Sequence, residues 1–292
     1  MTDSAFVQQL ITGLTTGCVY ALVALALVMI YQTTHLVNFA QGEMAVLSTY
    51  LVLVLISKGM SYWAAFAVTL VVSFLFGVAV ERLLMRRFSG KPVITIVIVM
   101  VGMMILLNGI AGFAFGYEVR RFDSPFDSIA WLKTGFMSPH EAGVALVTLI
   151  VLFFVYAFFK FTKLGLAMRG AAANPLSSQF VGIDVGWILA LGWGLAAAIG
   201  AIGGVMTAPV VFLDPNMMLS VILYSFAGAV LGGISNPWGA VAGGLMLGVA
   251  ENLVGAYLIG SDLKLAFVLA VIVAVLTLAP NGLFGRRLIH RV

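Results

Sequence analysis

The feature that most constrains this chain is a series of apolar runs, each near 20 residues and many of them free of charge, beginning with Leu10 to Ile30. Wound as a helix at about 1.5 Å per residue, a run of that length matches the hydrocarbon core of a bilayer. Backbone amides in lipid have no water to bond, so these runs require helices, which satisfy their own backbone, rather than barrel strands. Composition agrees, with 62% hydrophobic and 9% charged residues, against roughly 25% charged in soluble domains. The fold class expected is all-α: a polytopic integral membrane helix bundle of about 8–9 segments, some broken or re-entrant, forming one domain over residues 1–292. Cys18 stands alone, which excludes an internal disulfide. The start, MTDSAFVQQ, has no Lys or Arg and leads into a run too long for a signal-peptide core, so it is expected to be retained.

The first run sets Gly13, Gly17 and Ala21 four residues apart, a spacing that lets two helices approach closely. The second, Leu36 to Ile56, opens with LVNFAQGEMAVL and puts Asn38, Gln41, Gly42 and Glu43 in or near the membrane, which predicts a break inside the segment. A third run from Tyr62 to about Leu84 ends among arginines, and Pro92 opens a fourth that reaches about Phe115. A polar segment, 117–141, precedes a fifth run from Val144 to Phe159. After the basic stretch 160–186, the run Trp187 to Pro209 carries Gly192, Ala196, Gly200 and Gly204 on one stripe, again a close-packing surface. Ser220 to Ile234 is short for a crossing, and the Gly-rich run from Ser235 to Gly248 predicts that the seventh and eighth segments are short or broken. Leu265 to Leu278 is last, ahead of APNGLFGRR.

The stretch 160–186 is the long basic interruption, and it carries helix punctuation of its own. Asn174 can cap, Pro175 suits the first helical position, and Gly182 can end the helix. A helix of about two turns is too short to stand alone in water, so it must be held by packing. Leu176 and Phe180, four apart, share its apolar face. Two readings stand: a connecting loop folded onto its own bundle, or a docking helix for a soluble partner.

Positive charge sets orientation. Arg82, Arg86, Arg87, Lys91, Lys160, Lys163, Arg169, Arg286, Arg287 and Arg291 fall on one side if every segment crosses, leaving Lys58, Arg120, Arg121, Lys133 and Lys264 opposite. The larger group marks the cytoplasm, which puts the N-terminus outside, the C-terminus inside, 160–186 in the cytoplasm and 117–141 outside. The net charge of +4 comes from these clusters, which suits membrane orientation better than nucleic-acid binding.

Chemistry is sparse. His35, His140 and His290 lie far apart, no acid, base and nucleophile cluster, and no GxxxxGK[ST] loop is present. A catalytic or metal role is therefore not expected, and any use of ATP must come from a partner. Ionisable groups at membrane depth are costly and usually face a bundle interior or a water path. Glu43 and Glu251, with Asn108 and Asn252, are the candidates. They either line a translocation path or gate, or tie helices together. Gln41, Asn38 and freed backbone N–H groups can supply donors to Glu43. A secondary transporter or channel acting alone and a membrane-embedded enzyme are the rival classes.

GLTTGCVYALVALALVMIYQTTHLVNFAQGEMAVLSTYL resembles the start of the LivH-type permease subunits of bacterial branched-chain amino acid ABC importers, which carry Asn-Phe-Ala-x-Gly-Glu after the first span. RGAAANPLSSQFVGIDV is similar to their cytoplasmic coupling loop, and LAPNGLFG to their C-terminal ending. The resemblance implies a non-catalytic inner-membrane permease forming half of the pathway for branched-chain or similar amino acids. It implies a homologous LivM-type permease, two cytoplasmic ATPases and an external substrate-binding protein as partners. ATP and Mg would belong to the ATPases, with no cofactor in this chain. Arg169, Asn174, Pro175, Leu176, Phe180 and Gly182 then fall in the coupling loop, and Asn38, Gly42 and Glu43 in the early motif. Importers more generally show Glu-Ala-Ala and then Gly in this loop, whereas this chain has Ala171, Ala172, Ala173 and then Gly182, with no Glu. Relatives of the family also move urea, short amides or aromatic acids.

Overall fold

A computed structural model describes residues 2–34, 36–88, 90–129 and 137–285. His35, Lys133, His290, Arg286, Arg287 and Arg291 lie outside them. Eleven α-helices account for most of the described chain, and no strand occurs among the described residues. In order they are α1 (Thr2–Thr34), α2 (Gln41–Ser57), α3 (Tyr62–Ala79), α4 (Val93–Phe115), α5 (Pro139–Phe161), α6 (Lys163–Ala173), α7 (Pro175–Phe180), α8 (Val185–Val211), α9 (Met218–Gly232), α10 (Pro237–Val254) and α11 (Lys264–Leu278). Seven helical stretches among the described residues are long and apolar enough to cross a membrane, and α2 and α9 are shorter apolar helices.

Four expectations need correcting. The basic stretch 160–186 is not a loop with one helix, because α6 fills its first half, its start capped by Thr162 Oγ1 accepting from Gly165 N at 3.0 Å. The eighth segment is not broken. Asn236 caps it, Pro237 opens it, and α10 runs on through a π-helical turn at Gly255–Ile259, so that 23 residues are continuous. The second segment begins helical structure only at Gln41, so its break is a non-helical lead-in ahead of the helix. The fifth starts at Pro139, five residues before Val144.

The chain forms two compact units. The first comprises Met1–Val28, Asp123–Leu146 and Leu219–Val292. Its centre is glycine: Gly13 and Gly17 of α1 face Gly248, Val249 and Leu245 of α10, and Gly244 faces Ala21. A Cβ on Gly17 would lie 2.8 Å from the Leu245 carbonyl oxygen, so only hydrogen lets the two backbones meet. The α1 spacing is therefore a packing surface, as its small residues suggest. On the other side of α10, Gly228 of α9 meets Gly243 and Gly244. The residues of LAPNGLFG close the α9–α10 link: Leu283 N and Phe284 N donate to the carbonyls of Leu231 and Gly232 at 2.8 and 3.0 Å, and Asn236 Nδ2 donates to Phe284 O at 3.0 Å. These carbonyls end α9 and have no partner within the helix. Gly233, at φ 108°, lets the chain pass.

The second unit comprises Met29–Phe122 and Val147–Met218. Here α2, α3 and α8 pack together. The α8 stripe meets α2: a Cβ on Gly204 would lie 2.9 Å from Ala45 O, Gly200 faces the Gln41 amide, and Ala196 O accepts from Gln41 Nε2 at 2.9 Å. Ser48 and Ser73 join α2 to α3 at 2.8 Å. The end of α3 passes through a π turn, Val80–Leu84, into a 3₁₀ turn, Met85–Phe88. The π turn carries Arg82, whose guanidinium lies 3.5 Å over the Trp187 ring at the start of α8. Glu81 beside it is buried, a residue the sequence reading did not single out.

Candidate functional site

Two groups of residues were expected to carry function, and the structure treats them differently. The first is the α6–α7 hairpin. Asn174 Oδ1 accepts from Ser177 N at 3.0 Å, Pro175 opens α7, and Gly182, at φ 84°, ends it with its N–H donating to Gln179 O. All three punctuation residues do what their chemistry suggests. Met168 and Ala171 of α6 are buried with Val185 and Ile188 of α8, and Ile183 packs against them. Ser178 is buried too. The hairpin is thus seated on its own unit by one face. The other face is bare: Leu176 is 68% exposed, Phe180 89% and Val181 76%. Arg169 is exposed as well. A groove of about 530 Å³ lies between the two helices, lined by Lys163, Leu166, Gly170, Asn174, Ser177 and Val181 among others. Leu176 and Phe180 share a face, as their spacing implies, but it does not hold the loop to the bundle.

The second group is the set of polar residues at membrane depth. Asn38 Oδ1 accepts from Ala40 N at 3.1 Å, and its Nδ2 donates to Gln41 Oε1 at 3.2 Å, so this pair organises the lead-in to α2. Gln41 spends its amide on Ala196 O. Neither residue donates to Glu43, contrary to expectation. Gly42 is buried beside it. The donor to Glu43 is Asn108 of α4, whose Nδ2 lies 3.3 Å from Glu43 Oε2. Seven residues on in each helix, Tyr50 and Phe115 stack at 4.2 Å. Equal spacing of two contacts means that α2 and α4 run parallel. Glu43 is two residues into α2 and Asn108 fifteen into α4, so α2 starts about 20 Å further along than α4. The non-helical lead-in therefore lies well inside the span of α4.

Glu251 and Asn252 lie in the other unit and act as ties. Tyr20 Oη donates to Glu251 Oε2 at 2.8 Å, and Lys264 Nζ lies 3.3 Å from Oε1, which joins α1, α10 and α11. Asn252 Nδ2 donates to Gln9 O and Oε1, each at 2.7 Å. Both side chains therefore join helices of their own unit. Lys264→Met should lower thermal stability by about 1 to 3 kcal/mol, since it leaves a buried carboxylate with Tyr20 as its remaining side-chain partner. Glu251→Gln keeps an acceptor for Tyr20 and should cost less, which melting curves of the two purified variants will test. His140, the one expected lone histidine within the described residues, sits 2.9 Å from Ser124 Oγ.

Seven spanning-length apolar helical stretches and two shorter ones among the described residues, with polar side chains buried along them, fit a multi-pass membrane protein. The profile of the family described as "Branched-chain amino acid transport system / permease component" matches residues 9–276. The chain belongs to that family. It is 28% identical to the high-affinity branched-chain amino acid transport system permease protein LivH of Escherichia coli K12, over 98% of each chain. It is 30% identical to the corresponding protein BraD of Pseudomonas aeruginosa PAO1, again over 98% of each. A chain of the solved structure "PsaBC from Streptococcus pneumoniae in complex with Fab" is 11% identical, with a TM-score of 0.49 over 92% of this chain and 91% of that one. The sequence resemblance to LivH-type permeases holds over nearly the whole length.

Proposed function

We propose that this chain is the LivH-type half of an ATP-driven importer for branched-chain or similar amino acids. The bare apolar face of α7, on a hairpin otherwise anchored to its own unit, carries this reading. A capped two-turn helix with Leu176 and Phe180 in solvent is a surface awaiting a partner. Two cytoplasmic ATPases that bind ATP and Mg are the occupants that fit, with a LivM-type permease completing the pathway and an external binding protein delivering substrate. The chain itself is non-catalytic and binds no cofactor, and residues 1–292 act as one permease domain. Asn38, Gln41, Gly42, Glu43 and Asn108 form the path-lining group. Mild-detergent purification from the native host tests the assembly: two ATPase chains and a second permease in fixed ratio are expected, and a chain that purifies alone and drives uptake without ATP would establish a secondary transporter instead.

Orientation follows the charge split, with the α6–α7 hairpin in the inner-membrane cytoplasmic face and the N-terminus outside. A cysteine at Ser177, exposed on α7, should react with an impermeant maleimide only after the membrane is opened. One at Ser128, exposed in the 117–141 segment, should react in intact spheroplasts. Cys18 is buried and contributes little background. Labelling of Ser177→Cys in sealed cells would reverse the topology.

A further inference from the structure

Glu43 is 3% exposed and has one hydrogen-bond donor, the neutral Asn108 amide at 3.3 Å. No cation pairs with it among the described residues. The same amide, with two hydrogens to give, also lies 3.1 Å from Pro215 O and 3.1 Å from Asn216 Oδ1. Three oxygens thus converge on two hydrogens, around a carboxylate that lacks a counter-charge. Buried carboxylates are normally paired or richly hydrogen-bonded, because leaving one otherwise is costly. The arrangement is complementary to a group with three donors and a positive charge. Asn108 is half-buried and Asn216 exposed, so the oxygen cluster runs from the surface of the unit inward to Glu43.

We propose that Glu43, with the Pro215 carbonyl and the Asn108 and Asn216 side chains, forms a subsite that takes the ammonium group of the transported amino acid. The proposal rests on the amino-acid permease reading and adds which end of the substrate this chain reads. An incoming ammonium supplies donors to Glu43, Pro215 and Asn216 and releases Asn108 from sharing its two hydrogens. No covalent bond is made or broken.

The test uses the purified complex in lipid nanodiscs, without external binding protein, and labelled leucine as probe. Binding should be displaced by 3-methylbutylamine, which keeps the ammonium, and not by 4-methylpentanoate, which keeps the carboxylate alone. Glu43→Gln matches the shape of a protonated acid and should weaken leucine binding at least tenfold at unchanged melting temperature, with Glu43→Asp recovering part of the loss. Asn216→Ala alters an exposed acceptor, leaves folding untouched and should weaken binding three- to tenfold. Unchanged affinity in Glu43→Gln, or equal displacement by 4-methylpentanoate, overturns the subsite: the carboxylate is then a neutral helix tie or meets a cation of another subunit. ATP-driven leucine uptake in proteoliposomes separates the two levels. Normal uptake with an unaffected Glu43→Gln removes only the subsite, whereas absent uptake of every amino acid removes the permease reading with it.

Discussion

Phe180→Asp should leave the permease folded and abolish ATP-driven uptake. The side chain is 89% exposed, so an aspartate there meets water in the free chain and costs it almost nothing. In the proposed assembly the same position meets an ATPase groove, where loss of an apolar anchor and burial of a charge should cost about 2 to 4 kcal/mol, the range of an interface hot spot. The expected result is normal yield and melting of the permease together with loss of ATPase co-purification and of receptor-stimulated hydrolysis. Lowered permease stability with ATPases still bound would mean that α7 folds back on its own chain. Met168 provides the contrast. It is 3% exposed in the anchoring face, so Met168→Asp should unfold the hairpin and reduce yield.

Gly17→Leu should strongly destabilise the membrane bundle. The first added carbon already meets the Leu245 carbonyl at 2.8 Å and its Cα at 2.9 Å, both backbone atoms that no rotamer change can move. Helices α1 and α10 would have to separate along their whole line of small residues, at about 3 kcal/mol, the upper end for overpacking. Gly17→Ala should show a smaller loss in the same direction. Detergent melting curves decide the matter, and a Leu variant as stable as the parent would show that α1 and α10 do not rely on this contact.

What the sequence made legible was local chemistry. Asn174, Pro175 and Gly182 act within a few residues of themselves, and their roles as cap, first-turn residue and helix end follow from backbone requirements alone. The small-residue stripes were legible for a related reason, because hydrogen in place of a side chain has few uses inside a membrane helix other than close approach. The same glycines misled where they were dense. Between Gly239 and Gly248 they suggested a break, but in lipid neighbouring helices hold the backbone, and α10 stays whole with α1 on one side and α9 on the other. Helix α6 was missed because it is short and carries Lys163 and Arg169, so no long apolar run announced it. Glu251 and Asn252 could not be sorted from Glu43 by sequence. Their partners Tyr20 and Gln9 lie more than 200 residues away, and only the fold distinguishes a carboxylate paired with a cation from one that meets a neutral amide.

The clasp formed by Leu283 and Phe284 has a bearing on the order in which the molecule is made. The carbonyls of Leu231 and Gly232 leave the ribosome 52 residues before their partners do, which at roughly 5–20 residues per second is an interval of about 3 to 10 seconds. Until then the turn between α9 and α10 lacks its clasp, so a nascent chain halted before Leu283 should present an unfinished hairpin to membrane quality control. Residues made seconds later thus lock a turn made earlier.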